Sequence, residues 1–177
     1  MLTTTHDVRG RAAVRTTSRA VELRPLERGD HATLLEIFAG MSPRSRELRF
    51  LTPKPRLSQG ELRRLTDVDH HDHIALVAVA TSTGRPIGIG RFVREPGEPD
   101  SADVALAVVD AWQGRGVGTL IAKALGHRAR EVGVRRFTLI AQRDNAAVLS
   151  LLRRSSGAVT RLNDDAESVE LAVSLPG

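Results

Sequence analysis

The sequence predicts a mixed α/β domain, because strand-like apolar runs alternate along the chain with segments of helical periodicity. Three adjacent features carry this prediction. Residues 104–109 are small or aliphatic, with the length and composition of a buried strand. A glycine-rich turn follows over residues 113–118. An apolar helical pattern over residues 119–132 comes directly after it and ends at Gly133.

The chain before this unit contains signals for a strand, helices and a hairpin. Residues 21–26 alternate in polarity and predict a first strand, and Asp30 is suited to cap the helix that follows. Ser42 and Pro43 have the residue types of an N-cap and first helical position, which predicts a second helix through Leu51. The other predicted elements are a short helix (57–65), a hairpin (strands 74–80 and 86–93) and a loop (95–101).

The remaining predicted elements are a strand (137–142), a helix (145–154) and two final strands (158–162 and 168–175). No repeat or internal boundary is visible, so residues 19–177 are predicted to form a single domain. Residues 1–18 are rich in Thr and Arg without periodicity, which predicts a disordered basic leader.

Composition excludes several classes of protein. The chain has 177 residues and no cysteine, so it has neither a disulfide framework nor a thiolate metal site. No apolar run approaches the length of a membrane span, and residues 1–20 lack the apolar centre of a signal peptide. We therefore expect a cytoplasmic protein without membrane contact.

The net charge of +5 does not by itself indicate a nucleic-acid partner. Residues 1–20 hold four arginines and one aspartate and so contribute +3 of it. The other arginines are scattered, the chain has no tyrosine, and basic residues are not interleaved with aromatic ones as in proteins that stack bases. The pattern is typical of a solvated surface.

The glycine-rich turn has the properties of a phosphate-binding loop. A strand, a turn with Gly114, Gly116 and Gly118, and a helix start together present free backbone N–H groups and the positive end of a helix dipole to an anion. Glycine permits close approach of a phosphate and positive φ angles. The spacing differs from the G-x-x-x-x-G-K-[ST] loop of nucleotide hydrolases and from the G-x-G-x-x-G dinucleotide fingerprint.

The turn resembles the acyl-CoA loop of the GNAT superfamily of N-acyltransferases, whose signature [QR]-x-x-G-x-[GA] is filled by Gln113, Gly116 and Gly118. The likeness extends over residues 20–175. It is nearest to the bacterial protein lysine acetyltransferase branch, which has counterparts of residues 42–50 and 69–78. The resemblance implies a mixed, mostly antiparallel sheet, flanked by helices and splayed at an acyl-CoA cleft.

The resemblance also implies an activity. An enzyme of this kind transfers an acetyl group from acetyl-CoA to a primary amine by direct attack in a ternary complex, without a metal. A protein lysine and a small-molecule amine are both open as acceptors. A homodimer is left open too.

Residue-by-residue carry-over assigns the acetyl-CoA contacts. Leu106, Ala107 and Val108 would offer backbone groups to the pantetheine and the acetyl carbonyl, with a donor near Val108 stabilising the oxyanion. Asn145 matches an asparagine that contacts the CoA arm; a plain helix N-cap is the alternative, and the two roles are compatible. The residues expected to hold the pyrophosphate or to complete the loop are Gln113, Gly114, Arg115, Gly116, Val117, Gly118 and Thr119.

Catalysis needs a base, because a lysine amine with a pKa of about 10.4 is protonated near neutral pH. The resemblance implies a carboxylate at the start of the 104–109 strand that acts through water. Asp103 stands there, where the branch usually has Glu, and a solvent-facing carboxylate is the alternative. Glu95 and Glu98 are the next candidates. The tyrosine that often protonates the departing thiolate is replaced by Leu152, so the acid is unassigned.

Three other interpretations fit parts of the sequence. The run His70, His71, Asp72, His73 contains metal-ligating residue types, but neighbours on a strand point to opposite faces, which favours a structural or substrate-cleft role. A non-catalytic acyl-CoA-binding module would explain the missing tyrosine. A nucleic-acid or acidic-surface binder that uses the leader is the third interpretation, and steep salt dependence would reveal it.

Overall fold

The computed structural model describes residues 20–176, and before them only the strands Thr3–His6, Ala12–Arg15 and Thr17–Ser18. The strands are β1 (Thr3–His6), β2 (Ala12–Arg15), β3 (Thr17–Ser18), β4 (Val21–Pro25), β5 (His73–Ala80), β6 (Pro86–Glu95), β7 (Glu98–Val108), β8 (Arg136–Gln142), β9 (Val159–Asp164) and β10 (Ser168–Ser174). The helices are α1 (His31–Ala39), α2 (Pro43–Phe50), α3 (Gln59–Thr66), α4 (Val117–Glu131) and α5 (Ala146–Arg153), with one 3-10 turn at Asp110–Trp112.

A mixed, mostly antiparallel sheet forms the centre of the fold. Its eight strands lie in the order β3-β4-β5-β6-β7-β8-β10-β9, while β1 and β2 pair with each other. Neighbours are antiparallel except β7 and β8, which run parallel because α4 connects them as a crossover. The predicted fold class is confirmed.

Side chains at the helix starts explain where the first three helices begin. The Asp30 carboxylate accepts a hydrogen bond from the N–H of Thr33, and the Ser42 hydroxyl accepts one from Ser45, each at 3.2 Å. Ser58 and Glu61 form a reciprocal capping box at α3. The N-caps predicted at Asp30 and Ser42 are therefore confirmed.

Helices cover both faces of the sheet. Gly88 and Gly90 of β6 let α4 approach closely, since Ile121 and Leu125 lie next to the places where their Cβ atoms would be. The opposite face carries α1 and α2. Gly40, which follows α1, lies against Val109, the residue after β7, and α2 lies against β7 itself. The core lies between these layers, and its largest fully buried side chains include Phe92, Leu23, Leu26, Ile121 and Leu125.

The close contact at Gly90 makes a stability prediction. A Cβ at residue 90 would lie 2.4 Å from Ile121 Cγ2 and 2.6 Å from Leu125 Cδ1, so Gly90→Ala should destabilise the protein by about 1–3 kcal/mol through overpacking. Gly60 in α3 has nothing within 4 Å of a Cβ, so Gly60→Ala should stabilise by about 0.5–1 kcal/mol. Urea denaturation of both variants measures the difference, and equal midpoints would contradict this packing.

The prediction of a loop over residues 95–101 is wrong. β6 continues to Glu95 and β7 begins at Glu98, so only Pro96 and Gly97 lie between the two strands. Gly97 has a φ of 82°, which a tight turn needs and which glycine adopts without strain. Pro96 and Gly97 therefore form a hairpin turn instead of a long loop.

The basic leader predicted over residues 1–18 is described only in part, and the described part contains three short strands. β1 pairs with β2, and β3 joins the edge of the large sheet by pairing Ser18 with Val21. The β-branched threonines of β1 favour such an extended backbone. The rest of the leader lies outside the described residues. In the described part of the chain, no helix has the length and apolar character needed to cross a bilayer.

Candidate active site

The parallel pairing between β7 and β8 is short and leaves a gap. It extends only from Ser101 to Asp103 on β7, opposite Arg136 to Thr138 on β8. β7 then continues to Val108 and β8 to Gln142, each paired only on its far side, with β6 and β10. The two facing edges therefore carry backbone groups that the sheet does not use.

Alternation along β7 decides which residues direct their backbone to the gap. The N–H of Val109 donates to Ile87 in the segment of β6, at 3.0 Å, and Ala107 is in register with Ile89. Ala107 and every second residue from it therefore direct their backbone N–H and C=O groups towards β6. Val104, Leu106 and Val108 alternate with these residues and direct their backbone N–H and C=O groups towards the gap. Of the three residues expected to contact pantetheine, the structure brings Leu106 and Val108 to the gap edge but not the backbone of Ala107.

The glycine-rich loop forms an anion cradle at the end of this gap. Gly114 and Gly116 have φ angles of 71° and 83°, and Gly116 is the N-cap of α4 without any side-chain cap. The first hydrogen bond into the helix runs from Leu120 to Gly116, at 3.0 Å. The N–H groups of Val117, Gly118 and Thr119 are therefore free of helical partners, and the first turn has no acidic residue to neutralise the dipole.

Gln113 holds the loop against β7 and α2. Its Nε2 donates to the carbonyl of Val108 at 3.0 Å, to Ser45 at 3.2 Å and to Asp110 at 3.3 Å. The same Asp110 oxygen accepts from the N–H of Ser42, at 3.2 Å. The predicted second helix thus positions the loop, which spacing along the sequence did not reveal.

Arg115 and Asn145 have distinct surroundings near the loop and gap. Arg115 is exposed, and its guanidinium lies 5.3 Å from the centre of the Trp112 ring. Asn145 is buried and caps α5, because its side-chain oxygen accepts from Val148 at 3.1 Å. The N-cap interpretation of Asn145 is thus observed, while its contact with a CoA arm stays a prediction.

A pocket of about 380 Å³ opens on the sheet face opposite α4. Asp103 of β7 is in register with Val93 of β6, which is in register with His73 of β5, so these three side chains share a face. The pocket is lined by Arg64, Asp67, His73, Arg91, Val93, Arg94, Glu95, Pro96 and Asp103. It lies beside the point where β7 and β8 separate.

The Asp103 carboxylate has the environment of a base. Asp103 is exposed to solvent on one side, yet its partial desolvation in the pocket raises its pKa, although Arg91 and Arg49 lower it, and nearby Glu95 raises it further. Among residues 20–176, no group donates a hydrogen bond to this carboxylate, so its oxygens are available. A carboxylate with a raised pKa accepts a proton more readily than an ordinary one.

The two other candidate carboxylates are separated by the structure. Glu95 lies in the pocket and accepts a hydrogen bond from the hydroxyl of Thr138, which is in register with Asp103. Glu98 is exposed and forms an ion pair with Arg136 at 2.6 Å. Glu95 is thus a neighbour of Asp103, whereas Glu98 is held outside the pocket.

His73 presents an unused base to the pocket. Its Nδ1 lies 2.9 Å from the carbonyl of Asp67, and because a carbonyl only accepts, Nδ1 carries the proton. Nε2 therefore carries a free lone pair, and this atom is buried without a hydrogen-bond partner among the described residues. Burial lowers the pKa of His73, and Arg91 lowers it further. His73 lines the pocket, whereas His71 pairs with exposed Asp72, and the substrate-cleft role of the histidine run stays a prediction.

The lowered pKa of His73 predicts a pH dependence of stability. Below pH 6.5 the imidazole of the unfolded chain gains a proton, whereas the imidazole of the folded protein resists protonation. The free energy of unfolding therefore decreases as the pH is lowered from 6.5 to the pKa of His73 in the folded state. His73→Gln should reduce this slope in urea denaturation between pH 7 and 5.5. His31→Gln changes a histidine outside the pocket and leaves His73 in place, so this variant should keep the wild-type slope. Equal slopes in all three proteins would contradict the assignment.

The general acid stays unassigned. Leu152 is partly buried in α5, and the chain contains no tyrosine. A CoA thiol has a pKa near 8.5, so its thiolate is a tolerable leaving group that water can protonate.

The glycine loop, the gap and the pocket are features of an acyltransferase, and the chain belongs to the acetyltransferase (GNAT) family, whose model matches residues 41–158. The resemblance carried by Gln113, Gly116 and Gly118 is thereby confirmed. Acetyltransferase Pat of Mycolicibacterium smegmatis is 34% identical over 132 residues, which are 75% of this chain and 39% of that protein. This chain therefore spans less than half the length of that curated relative.

Solved structures agree with this membership. The GNAT domain of S. lividans PAT has a TM-score of 0.78 and 29% identity, covering 94% of this chain and 92% of that chain. The yncA protein of Salmonella typhimurium, solved with its cofactor acetyl-CoA, has a TM-score of 0.70 over 89% of this chain and 95% of that chain. Its identity is 17%, so it shows a common fold alone. Pat proteins among the relatives agree with the predicted likeness to the bacterial protein lysine acetyltransferase branch.

Proposed function

We propose that this protein transfers the acetyl group of acetyl-CoA to a primary amine in a ternary complex, and that lysine side chains of proteins are its acceptors. The observation that supports this most is the gap between β7 and β8, which has the anion cradle at one end and the Asp103 pocket beside it. The likeness to Pat acetyltransferases favours a protein acceptor.

The gap and loop fit acetyl-CoA in shape and chemistry. Backbone groups of Val104, Leu106 and Val108 would pair with the amides of the pantetheine arm in the manner of an added strand. The N–H groups of residues 114–119 would hold the pyrophosphate, aided by the α4 dipole. The thioester would then lie near the start of the gap, on the side of Asp103.

The transfer itself requires one proton acceptor and one oxyanion donor. Asp103, acting through water, takes a proton from the ammonium group, and the free amine attacks the thioester carbonyl carbon. A backbone N–H of β7 at the gap edge, close to the thioester, stabilises the oxyanion. The new C–N bond forms, the C–S bond breaks with its electron pair on sulfur, and the second amine proton reaches the CoA thiolate through solvent.

Mass spectrometry after incubation with acetyl-CoA tests this proposal. The panel should contain small amines, lysine peptides and folded proteins, and we expect acetylated lysine together with free CoA. CoA binding without transfer to any acceptor would instead support the non-catalytic module. Absence of both binding and transfer would remove the acetyl-CoA assignment.

A further inference from the structure

Three guanidinium groups on the pocket face lack a paired carboxylate. We call Arg49 of α2, Arg64 of α3 and Arg91 of β6 the arginine cluster; Arg64 and Arg91 line the pocket, and Arg49 interacts with Asp103. Within residues 20–176, none of the three forms an ion pair. The fourth pocket arginine, Arg94, differs because it pairs with Asp72 at 2.7 Å.

Arg91 has an unmet requirement for a hydrogen bond. Its Nη1 is buried and has no acceptor among the described residues. Burial lowers the pKa of Arg91, and burial with the nearby charge of Arg91 lowers the pKa of Arg49 to about 10. A buried donor without an acceptor is unfavourable, so these groups favour an anion that enters the pocket.

The charge balance of the pocket supports the same conclusion. Asp67 is engaged by Arg28 at 2.8 Å, which leaves Glu95 and Asp103 to offset the arginine cluster. An acceptor that brings only an ammonium group would add positive charge beside three arginines. An acceptor with its own carboxylate would instead supply the missing acceptor atoms and offset the charge of its own ammonium group.

We propose that the acceptor carries a carboxylate close to its reactive amine, and that Arg91 binds this carboxylate with support from Arg49. Arg91 is in register with Ala105, two residues along β7 from Asp103, so an amine at Asp103 and a carboxylate at Arg91 are a short distance apart. This inference rests on the proposed acetyl transfer. The carboxylate can belong to an acidic residue beside a lysine in a protein or to a free amino acid.

Matched acceptors separate these sources. Lysine peptides that differ only in a neighbouring Glu or Gln, and an α-amino acid compared with its carboxamide, are tested with acetyl-CoA. We expect kcat/KM to be about 10- to 100-fold higher for the acid of at least one pair, as for a charged hydrogen bond. The pair with the larger ratio identifies the source. Equal rates for acid and amide in both pairs would overturn the inference while leaving acetyl transfer intact.

Variants then assign the preference to the arginine cluster. Arg91→Gln should bring the acid-to-amide ratio near one, Arg91→Lys should restore part of it, and Arg49→Gln should reduce it by a smaller factor. Arg63→Gln, an exposed change next to Arg64 but outside the pocket, is the control and should keep the ratio. An unchanged ratio in a folded Arg91→Gln protein would also overturn the inference. If the wild-type protein transfers no acetyl group to any acceptor, the proposed function itself is contradicted.

Discussion

Gly116→Val should abolish measurable CoA binding. Residue 116 has a φ of 83°, which a β-branched side chain adopts only with strain, so the loop would have to change its path at the N-cap of α4. The N–H groups that face the phosphate would lose their common direction. Isothermal titration calorimetry of CoA measures the loss.

A matched control separates strain from the loss of a binding site. Gly84 has a φ of 68° in the turn between β5 and β6, away from the loop, so Gly84→Val carries a similar backbone strain. It should lose stability but retain CoA affinity. If Gly116→Val is folded and binds CoA as tightly as Gly84→Val does, the phosphate assignment is wrong.

Gly118→Val should also abolish CoA binding, for a different reason. A Cβ there would lie 3.6 Å from Leu106 Cδ2 and 3.9 Å from Val108 Cγ2, so the protein can accept it. The valine methyl groups would nevertheless crowd the space between the start of α4 and the gap-lining strand. Arg115→Ala should weaken binding only modestly, because Arg115 is exposed and the cradle consists of backbone.

Asp103→Ala should lower kcat by about 10²- to 10⁴-fold, the usual range for the loss of a general base. CoA affinity should hardly change, because Asp103 lies at the pocket and not at the pyrophosphate loop. The defect should become smaller as pH rises, since more of the amine is then deprotonated in solution. Single-turnover rates across a pH series measure both effects.

Other carboxylate variants test whether the effect is specific to Asp103. Asp103→Glu should retain or raise activity, because it keeps the carboxylate. Glu98→Gln is the control outside the pocket, where Glu98 pairs with Arg136. Near-normal turnover by Asp103→Ala at neutral pH would move the role to Glu95, which lies in the same pocket.

Local signals explain why most of the fold could be predicted. The apolar run at residues 104–109, the caps Asp30 and Ser42 and the stop at Gly133 depend on neighbours along the chain, and the elements they predict are observed. The prediction for residues 95–101 was wrong because proline and glycine occur both in long loops and in two-residue turns. Its hairpin depends on the pairing of β6 with β7, which composition does not show.

The glycine-rich loop could be located from the sequence, whereas the pocket could not. The loop lies within six consecutive residues, so one motif indicates it. The pocket brings together Arg64 of α3, His73 of β5, Arg91 of β6 and Asp103 of β7, which only the sheet order makes neighbours. The backbone direction of Ala107 likewise depends on register with β6, which the sequence leaves open.

A crystal structure of the protein with bound CoA tests the central claim most directly. We predict the pantetheine arm in the gap between β7 and β8, hydrogen-bonded to the backbone of Leu106 or Val108, with the pyrophosphate on the N–H groups of residues 114–119. The sulfur should lie near the Asp103 side of the gap. CoA bound at another surface, with the gap empty, would contradict the claim.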